Sequence, residues 1–372
     1  VRILHAVTAP VTAKAFLAGQ LSDLVDKGHD VHLVCSPGEA LASIDPRVTI
    51  HAVAMRREPQ AWRDALALVR LVRLLRRVRP EVTVVSTPKA GLLVGLAAAL
   101  AGVPRRFYLQ RGLRLEGATG ATRLLLTALE VVSCRAAHHV VAVSPSLAGE
   151  LRELRAVSSE RVSVLGSGSS NGVDCERFRP PTQEARTAAR ESVGAPPDTV
   201  VIGFVGRLAP DKGLEDLLAV AGGVGRRADV TLVVVGDFED ISLRQQHEAR
   251  LAASSVHVTG FVSDTRPWYE AMDVLVLPTR REGFPNVVLE AAASGLPVVT
   301  TDATGARDSV IDGITGLVVP RGDAEALDAA LHRLVDDPGL RADMGAAARA
   351  RVVHEFNQRV VWDRYARLWT TG

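Results

Sequence analysis

Short apolar runs rich in Val and Leu alternate along this chain with longer stretches in which apolar residues recur every three to four positions. The runs predict strands near 1–7, 30–35, 48–53, 82–86, 105–110 and 139–143. The stretches between them, such as "AKAFLAGQLSDLVDKG" and "AWRDALALVRLVRLLRRVR", predict amphipathic helices. Strands of this composition joined by helical crossovers make a parallel α/β sheet. Near 161–181 the pattern stops: "RVSVLGSGSSNGVDCERFRPPT" is rich in Gly and Ser and ends in Pro-Pro, which predicts a linker. Alternation resumes with "TVVIGFVGRL", "DVTLVVVGD", "SVHVTGF", "DVLVLPT" and "PVVTTD", and the tail "FNQRVVWDRYARLW" reads as one amphipathic helix. The expected fold class is α/β, with two Rossmann-like, doubly wound parallel-sheet domains facing across a cleft. Residues 1–175 form the first and 176–356 the second, and the helix at 357–372 folds back on the first.

Ligands of such sheets bind at the carboxyl ends of the strands, so residues just after strands are the ones to weigh. The first strand is followed by "TAPVTAK", without the Gly-x-Gly-x-x-Gly of a dinucleotide fold, and "GGVG" at 222–225 follows a helix pattern as a turn would. An oxidoreductase is thereby disfavoured. "VRILHAV" reads as a buried strand and not a leader. The longest apolar run, at 90–103, is too short to span a bilayer, so a soluble or peripheral protein is expected.

Composition narrows this further. The 372 residues are 47% apolar and 23% charged, the balance of a globular protein, and suffice for two domains. A formal charge of +2 and 4% aromatics give no sign of a nucleic-acid partner. Cys35, Cys134 and Cys175 are widely spaced and odd in number, which fits neither a disulfide nor a metal framework and suggests a reducing compartment, with Cys35 and Cys134 as core packing. Of 44 basic residues only Lys14, Lys27, Lys89 and Lys212 are lysine. Where Arg is the default cation, a retained Lys weakly suggests a need for a compact ammonium.

Two stretches carry candidate chemistry. After "VVIGFVG" comes "RLAPDKGLEDLL", which puts Arg207 at a strand end and Lys212 just before a helix opening near Gly213, a place that favours anions. The alternative is a solvated loop with two exposed charges. After "DVLVLPT" comes "EGFPNVVLE". Pro285 is suited to the first position of a helix, so the helix should begin near Phe284–Pro285. Glu282 then lies in the loop and Glu290 within the helix, with N–H groups free near Asn286, Val287 and Val288. Two acids so close suggest acid/base work or a metal site. Flanking a helix start, they fit better as hydroxyl acceptors on either side of a phosphate or diphosphate, which is the shape of a nucleotide-sugar. Solvated surface acids remain the alternative.

"GFVGRLAPDKG" and "EGFPNVVLE" resemble the nucleotide-sugar domain of glycosyltransferase family 4, retaining enzymes of the GT-B fold. "ILHAVTAPVTAKAFLAGQL", "STPKAGLL", "GVPRRFYLQRGLRLE", "VVAVSPSL" and "LGSGSSNGVD" extend the resemblance over nearly the whole chain, to a bacterial polysaccharide-assembly branch. The resemblance implies that Arg207 and Lys212 bind the donor diphosphate and stabilise it as it leaves, next to Gly206. Glu282 would hold sugar hydroxyls. Phe284, Pro285, Asn286 and Val287 would lend backbone contacts, and Glu290 would accept from the ribose. Gly260, Phe261 and Val262 would cradle the base. Catalysis would be electrostatic, without metal or cofactor beyond the UDP-sugar substrate, by front-face attack in which the leaving phosphate helps accept the acceptor's proton.

The chain departs from that pattern in two places. Many relatives have His-Gly after a first-domain strand, where "LQRGLRLE" puts Arg111 before Gly112. Many also have Gly-Gly in the first loop, where "TAPVTAK" stands. Acceptor binding would fall to the first domain, with Thr8, Thr12, Lys14, Lys89, Arg111, Arg114 and Glu116 as candidates by position. Lys89 is placed for an anionic group such as a polyprenyl diphosphate. The helix at 62–79 carries Arg63, Arg70, Arg73, Arg76, Arg77 and Arg79. It can lie on anionic lipid or cover the sheet with a solvated basic face. "DFED" at 237–240 looks like a metal run but follows a strand end, and His138–His139 lack zinc spacing.

The expected activity is transfer of a hexose or N-acetylhexosamine from a UDP-sugar to an acceptor hydroxyl, on a lipid-linked glycan of surface-polysaccharide assembly. The protein would be cytoplasmic, with peripheral contact at the inner face of the membrane as a further setting. A small natural-product acceptor, a nucleotide-sugar 2-epimerase and a non-catalytic nucleotide-sugar binder are the alternatives.

Overall fold

The computed structural model describes residues 1–55, 60–252 and 256–371. The chain divides into two compact units, Val1–Asn171 with Arg359–Gly372, and Gly172–Gln358.

In the first unit the parallel strands are β1 (Arg2–Ala6), β2 (Asp30–Cys35), β3 (Thr49–Ala52), β4 (Val82–Val85), β5 (Arg105–Gln110), β6 (His139–Ala142) and β7 (Val162–Ser163). Their order is β3-β2-β1-β4-β5-β6-β7, so the chain reverses its direction of travel across the sheet between β1 and β4. β7 lies inside the stretch read as linker. Two residues that end an edge are too few to give a hydrophobic pattern. The unit ends at Asn171 and not at 175. The long helix read from "AKAFLAGQLSDLVDKG" is two, Pro10–Phe16 and Ala18–Asp26, broken at Leu17. Leu17, at the break, and Leu21 are both buried in the core.

The helix Gln358–Thr370 covers one face of this sheet. Trp369 is wholly buried against Phe107, Tyr365 and His5, with ring centroids 4.8, 5.4 and 6.4 Å away. Arg105 donates to the Leu368 carbonyl at 2.9 Å, Trp362 Nε1 to Asn171 at 3.0 Å, and Lys27 pairs with Asp363 at 2.6 Å. Gly372, the end of the helix expected at 357–372, lies outside the described residues.

In the second unit the strands are β8 (Val200–Val205), β9 (Val230–Val235), β10 (His257–Val258), β11 (Val274–Leu277), β12 (Val298–Thr301) and β13 (Gly316–Val319), in the order β10-β9-β8-β11-β12-β13. All pair in parallel. β8 and β11 are buried along their full length, as sheets covered on both faces require. The run "SVHVTGF" yields only His257–Val258 as strand, both exposed at the edge, and Ser255 is outside the described residues. The switch point of this sheet lies between β8 and β11, and a ligand crevice is expected there.

Among the described residues no helix is long and apolar enough to cross a membrane. The arginine-rich helix Ala61–Val78 buries Ala67, Leu71 and Leu75 while Trp62, Leu66 and Val69 stay exposed, and Arg79 caps it in the left-handed conformation.

Candidate active site

The two sequence stretches meet at the β8/β11 switch point. A short turn, Pro210–Lys212, follows β8, and the helix Leu214–Gly222 starts immediately after it. The loop after β11 is stitched to that turn. The Arg280 amide donates to the Asp211 carbonyl at 2.9 Å, and Arg281 pairs with the Asp211 carboxylate at 3.2 Å. The Thr279 hydroxyl is 3.0 Å from the same carbonyl and 3.3 Å from Glu282 Oε1. Lys212 Nζ donates to Glu282 Oε1 in a largely buried pair. Residues assigned separately to diphosphate and sugar are thus in direct contact.

The loop after β12 completes the floor. The Glu282 amide donates to the Thr304 carbonyl at 3.0 Å. Gly305, with φ +73°, packs so closely that a Cβ there would stand 2.1 Å from the Gly283 carbonyl oxygen. Only glycine satisfies both conditions.

Arg207, just past Gly206, is half exposed. It pairs with Glu239 in the loop after β9, and its other nitrogen lies 3.7 Å from Asp211. The remaining "DFED" acids are engaged as well. Asp237 takes the Phe238 amide at 2.7 Å and Arg244 at 2.5 Å, and Asp240 takes the Leu243 amide at 2.9 Å.

The helix of the second stretch runs from Asn286 to Ala293, and Pro285 is its cap, not its first residue. Pro285 has φ −74° but ψ +115°, an extended conformation that turns the chain into the helix. The Val288 amide already donates to the Pro285 carbonyl at 3.2 Å. The first-turn N–H groups without a helical partner are those of Asn286 and Val287. Phe284 is half-buried against the core, its ring 5.2 Å from Phe356.

Further along this helix, Glu290 Oε2 accepts from Tyr269 at 2.9 Å and lies 3.4 Å from the Thr265 hydroxyl. Burial pushes its carboxyl up to about 7, against those two hydrogen bonds and the nearby Arg177, which act to lower it. Beyond β10, Gly260 turns the chain and leaves Phe261 84% exposed, while Val262 packs on the core. Sequence reading did not single out Thr265, Tyr269, Thr279, Asp211 or Glu239 as partners of the site, because they come to it from the ends of four different strands, β8, β9, β10 and β11.

The first unit's candidates are scattered. Thr12 and Lys14 lie on the helix Pro10–Phe16, the first partly buried and the second exposed. Thr8 shares a 2.7 Å hydrogen bond with Thr87 across β1 and β4. Lys89 does not stand open at a helix start: it is buried, with Nζ 2.5 Å from Asp64, which also accepts from the Gln60 amide at 3.0 Å. Arg114 and Glu116 lie in the short turn Arg114–Gly117. Arg111 stacks over Phe16 at 4.9 Å.

Both units superpose on solved proteins along their full length. A protein of Anabaena, Alr3699/HepE, crystallised with UDP, matches with a TM-score of 0.83 at 20% identity, all of each chain being covered. WaaG, a glycosyltransferase involved in lipopolysaccharide biosynthesis, matches at 0.76 and 17%, again over all of each chain. The fold is therefore GT-B, the two-sheet class of glycosyltransferases. Residues 17–177 match the model of "Glycosyltransferase Family 4" and residues 199–337 that of "Glycosyl transferases group 1". The capsular polysaccharide biosynthesis glycosyltransferase CapM of Staphylococcus aureus is 32% identical over 373 residues, all of this chain and 97% of that protein. The chain belongs to glycosyltransferase family 4.

Proposed function

We propose that this glycosyltransferase is a retaining enzyme that moves a hexose or N-acetylhexosamine from a UDP-sugar to a hydroxyl of a lipid-linked glycan in surface-polysaccharide assembly. The observation that carries the reading is the Lys212–Glu282 contact at the β8/β11 switch point, beside the first turn of the helix Asn286–Ala293. An ammonium and the unpartnered N–H groups of the first turn would together receive a diphosphate, and the Glu282 carboxylate would accept from sugar hydroxyls. The Anabaena relative binds UDP and UDP-glucose, and CapM builds capsule, which support the donor and the pathway.

In this reading the donor enters by exchange. Arg207 gives up Glu239 for a phosphate oxygen, and Lys212, still held by Glu282, donates its remaining N–H groups to the diphosphate. The bond between the anomeric carbon and the diphosphate oxygen breaks while the acceptor oxygen approaches the same face. The acceptor's proton passes to the departing phosphate. Arg207 and Lys212 carry the growing negative charge, so no divalent metal is required. Phe261 stacks on the base and Glu290 accepts from the ribose. The exposed apolar and arginine residues of Ala61–Val78 would hold the enzyme at the inner face of the membrane, near a lipid-linked acceptor.

Thermal shift against nucleoside diphosphates and their sugars tests the donor. UDP is expected to raise Tm by several degrees at saturation, and a shift with ADP or GDP but not UDP overturns the donor assignment. UDP release should require an acceptor. Release without one, together with an isomerised sugar, would mean an epimerase.

Glu290 gives a pH signature. Its carboxyl ionises near 7 when folded and near its ordinary value of 4.5 when unfolded. Between those values the folded state holds the extra proton. Its contribution to stability is therefore full below about 4.5 and is lost as pH rises through about 7. Glu290→Gln, which cannot ionise, should gain stability relative to the parent chain from pH 5 to 8. UDP affinity of the parent should rise over pH 6 to 8 as the carboxylate forms and accepts hydroxyls, and the variant should be flat. Parallel curves for the two proteins would remove Glu290 from the nucleotide site.

A further inference from the structure

Three neighbouring strands of the first unit point unpartnered polar groups at one covered face. His5 on β1 and Val84 on β4 are register partners, so Ser86, two residues beyond Val84, lies on the same side as His5. Phe107 on β5 packs on Trp369, as His5 does, and Arg111 follows Phe107 by four positions. The helices that cover this face add Gln20 and Trp369. Among the described residues, both ring nitrogens of His5, both amide atoms of Gln20, the Ser86 hydroxyl, the Trp369 indole N–H and all three guanidinium nitrogens of Arg111 are inaccessible and have no hydrogen-bond partner. His5, Gln20, Ser86 and Trp369 are at most 2% exposed.

The cluster is rich in donors and carries a charge. Arg111 alone offers five N–H groups. Burial lowers its guanidinium to about 10, which still leaves it protonated at neutral pH, and no carboxylate acts on it among the described residues. His5 is driven to about 3 by burial and by Arg111, so it is neutral and adds no second cation. A buried guanidinium without counter-charge is costly, and it persists where an anion completes it. The cluster also sits at the β1/β4 switch point, the place where such sheets bind ligands. Arg111 as a whole residue is only partly buried, and anion binding requires its side chain to move until the nitrogens are uncovered.

We propose that Arg111 is the anion-binding residue of the first unit, and that its guanidinium, on the same covered face as the unpartnered His5 and Ser86, receives a carboxylate or phosphate group of the acceptor substrate. The planar fork of Arg suits a two-oxygen anion, and the neutral donors of that face can close the remaining lone pairs. Naming the acceptor as the bearer of the anion rests on the transferase reading; the anion site itself does not.

The test is thermal unfolding of the full chain carrying Arg207→Ala and Lys212→Ala, so that anions held at the second unit are not counted. Inorganic phosphate, a methyl glucuronide and a methyl glucoside are compared at about 10 mM and matched ionic strength. Phosphate or glucuronide should raise Tm by about 2 °C or more, the glucoside should not, and adding Arg111→Met should abolish the rise. A response to phosphate alone identifies a phosphorylated acceptor, and a response to glucuronide alone a uronic acid. No response to either anion, an equal response to the glucoside, or a rise that survives Arg111→Met overturns the proposal. Without anion, Arg111→Met should be as stable as its parent, because it removes an uncompensated charge. A large fall in Tm, or failure to fold, would mean that the guanidinium has a protein partner and also overturns it. Arg111→Lys keeps the charge without the fork and should keep at most half the shift; full retention counts against recognition by the fork. Absence of UDP release from the wild-type chain would strike the transferase reading and leave these results standing.

Discussion

Lys212→Ala is expected to lower kcat for sugar transfer about a hundredfold to a thousandfold, the range seen when one preorganised charge is removed from a developing anion. The ammonium sits at the end of the turn after β8, one residue before a helix, and is aimed by Glu282. The backbone of Glu282 is held by its N–H donating to the Thr304 carbonyl, and its carboxylate accepts from the Thr279 hydroxyl. The position of the charge is therefore set before any donor arrives. Because the pair is largely buried but Glu282 keeps the Thr279 hydroxyl as a partner, losing the ammonium should cost about 1–3 kcal/mol. The diagnostic result is the split: kcat falls steeply while Tm moves by several degrees at most. Lys212→Arg should recover little, since a forked head does not occupy the place of a compact ammonium. A variant with unchanged kcat would show that Lys212 serves only to hold Glu282, and leaving-group stabilisation would fall to Arg207.

Most of the sheet was legible in the sequence because a strand buried on both faces must be written as a continuous apolar run. β8 and β11 have that form outright and β4 and β9 with one Thr, while β1, β2, β5 and β12 keep a shorter apolar run beside polar residues. β7 and β10 were not legible, being two residues each at sheet edges with little to bury. The break at Leu17 was hidden because the apolar spacing of two helices meeting at an angle resembles that of one. The site's residue types were readable from two local stretches, but their contact was not. Lys212 and Glu282 are 70 positions apart and meet because β11 returns to the far side of β8, a fact of topology and not of pattern. Lys89 shows the converse. Its position after a strand suggested an open anion site, but Asp64 on the preceding helix neutralises it. A cation's sequence position does not tell whether a partner comes from another element. Arg111 is the opposite case, a cation in a covered face to which, among the described residues, no carboxylate comes.

The same stitching predicts the largest stability effect. Gly213 has φ +75°, and a Cβ there would stand 1.8 Å from the Pro278 carbonyl oxygen, a backbone atom that cannot rotate away. Gly313 has nearly the same φ, +73°, with nothing within 4 Å of its would-be Cβ. Gly313→Ala should therefore cost only the left-handed conformation, about 1–2 kcal/mol. Gly213→Ala adds a steric conflict that is relieved only if the turn after β8 parts from the loop after β11. Those segments are tied by the Arg280–Asp211 bond, the Arg281–Asp211 pair and Lys212–Glu282. Opening them should cost about 3 kcal/mol or more in total, and the folded fraction that remains should transfer sugar poorly because Lys212 has been displaced. Urea unfolding of the two variants, side by side with their kcat values, separates the two effects. Equal stability losses would show that the turn and the loop yield independently, and the preorganisation invoked for Lys212 would then lack its mechanical basis.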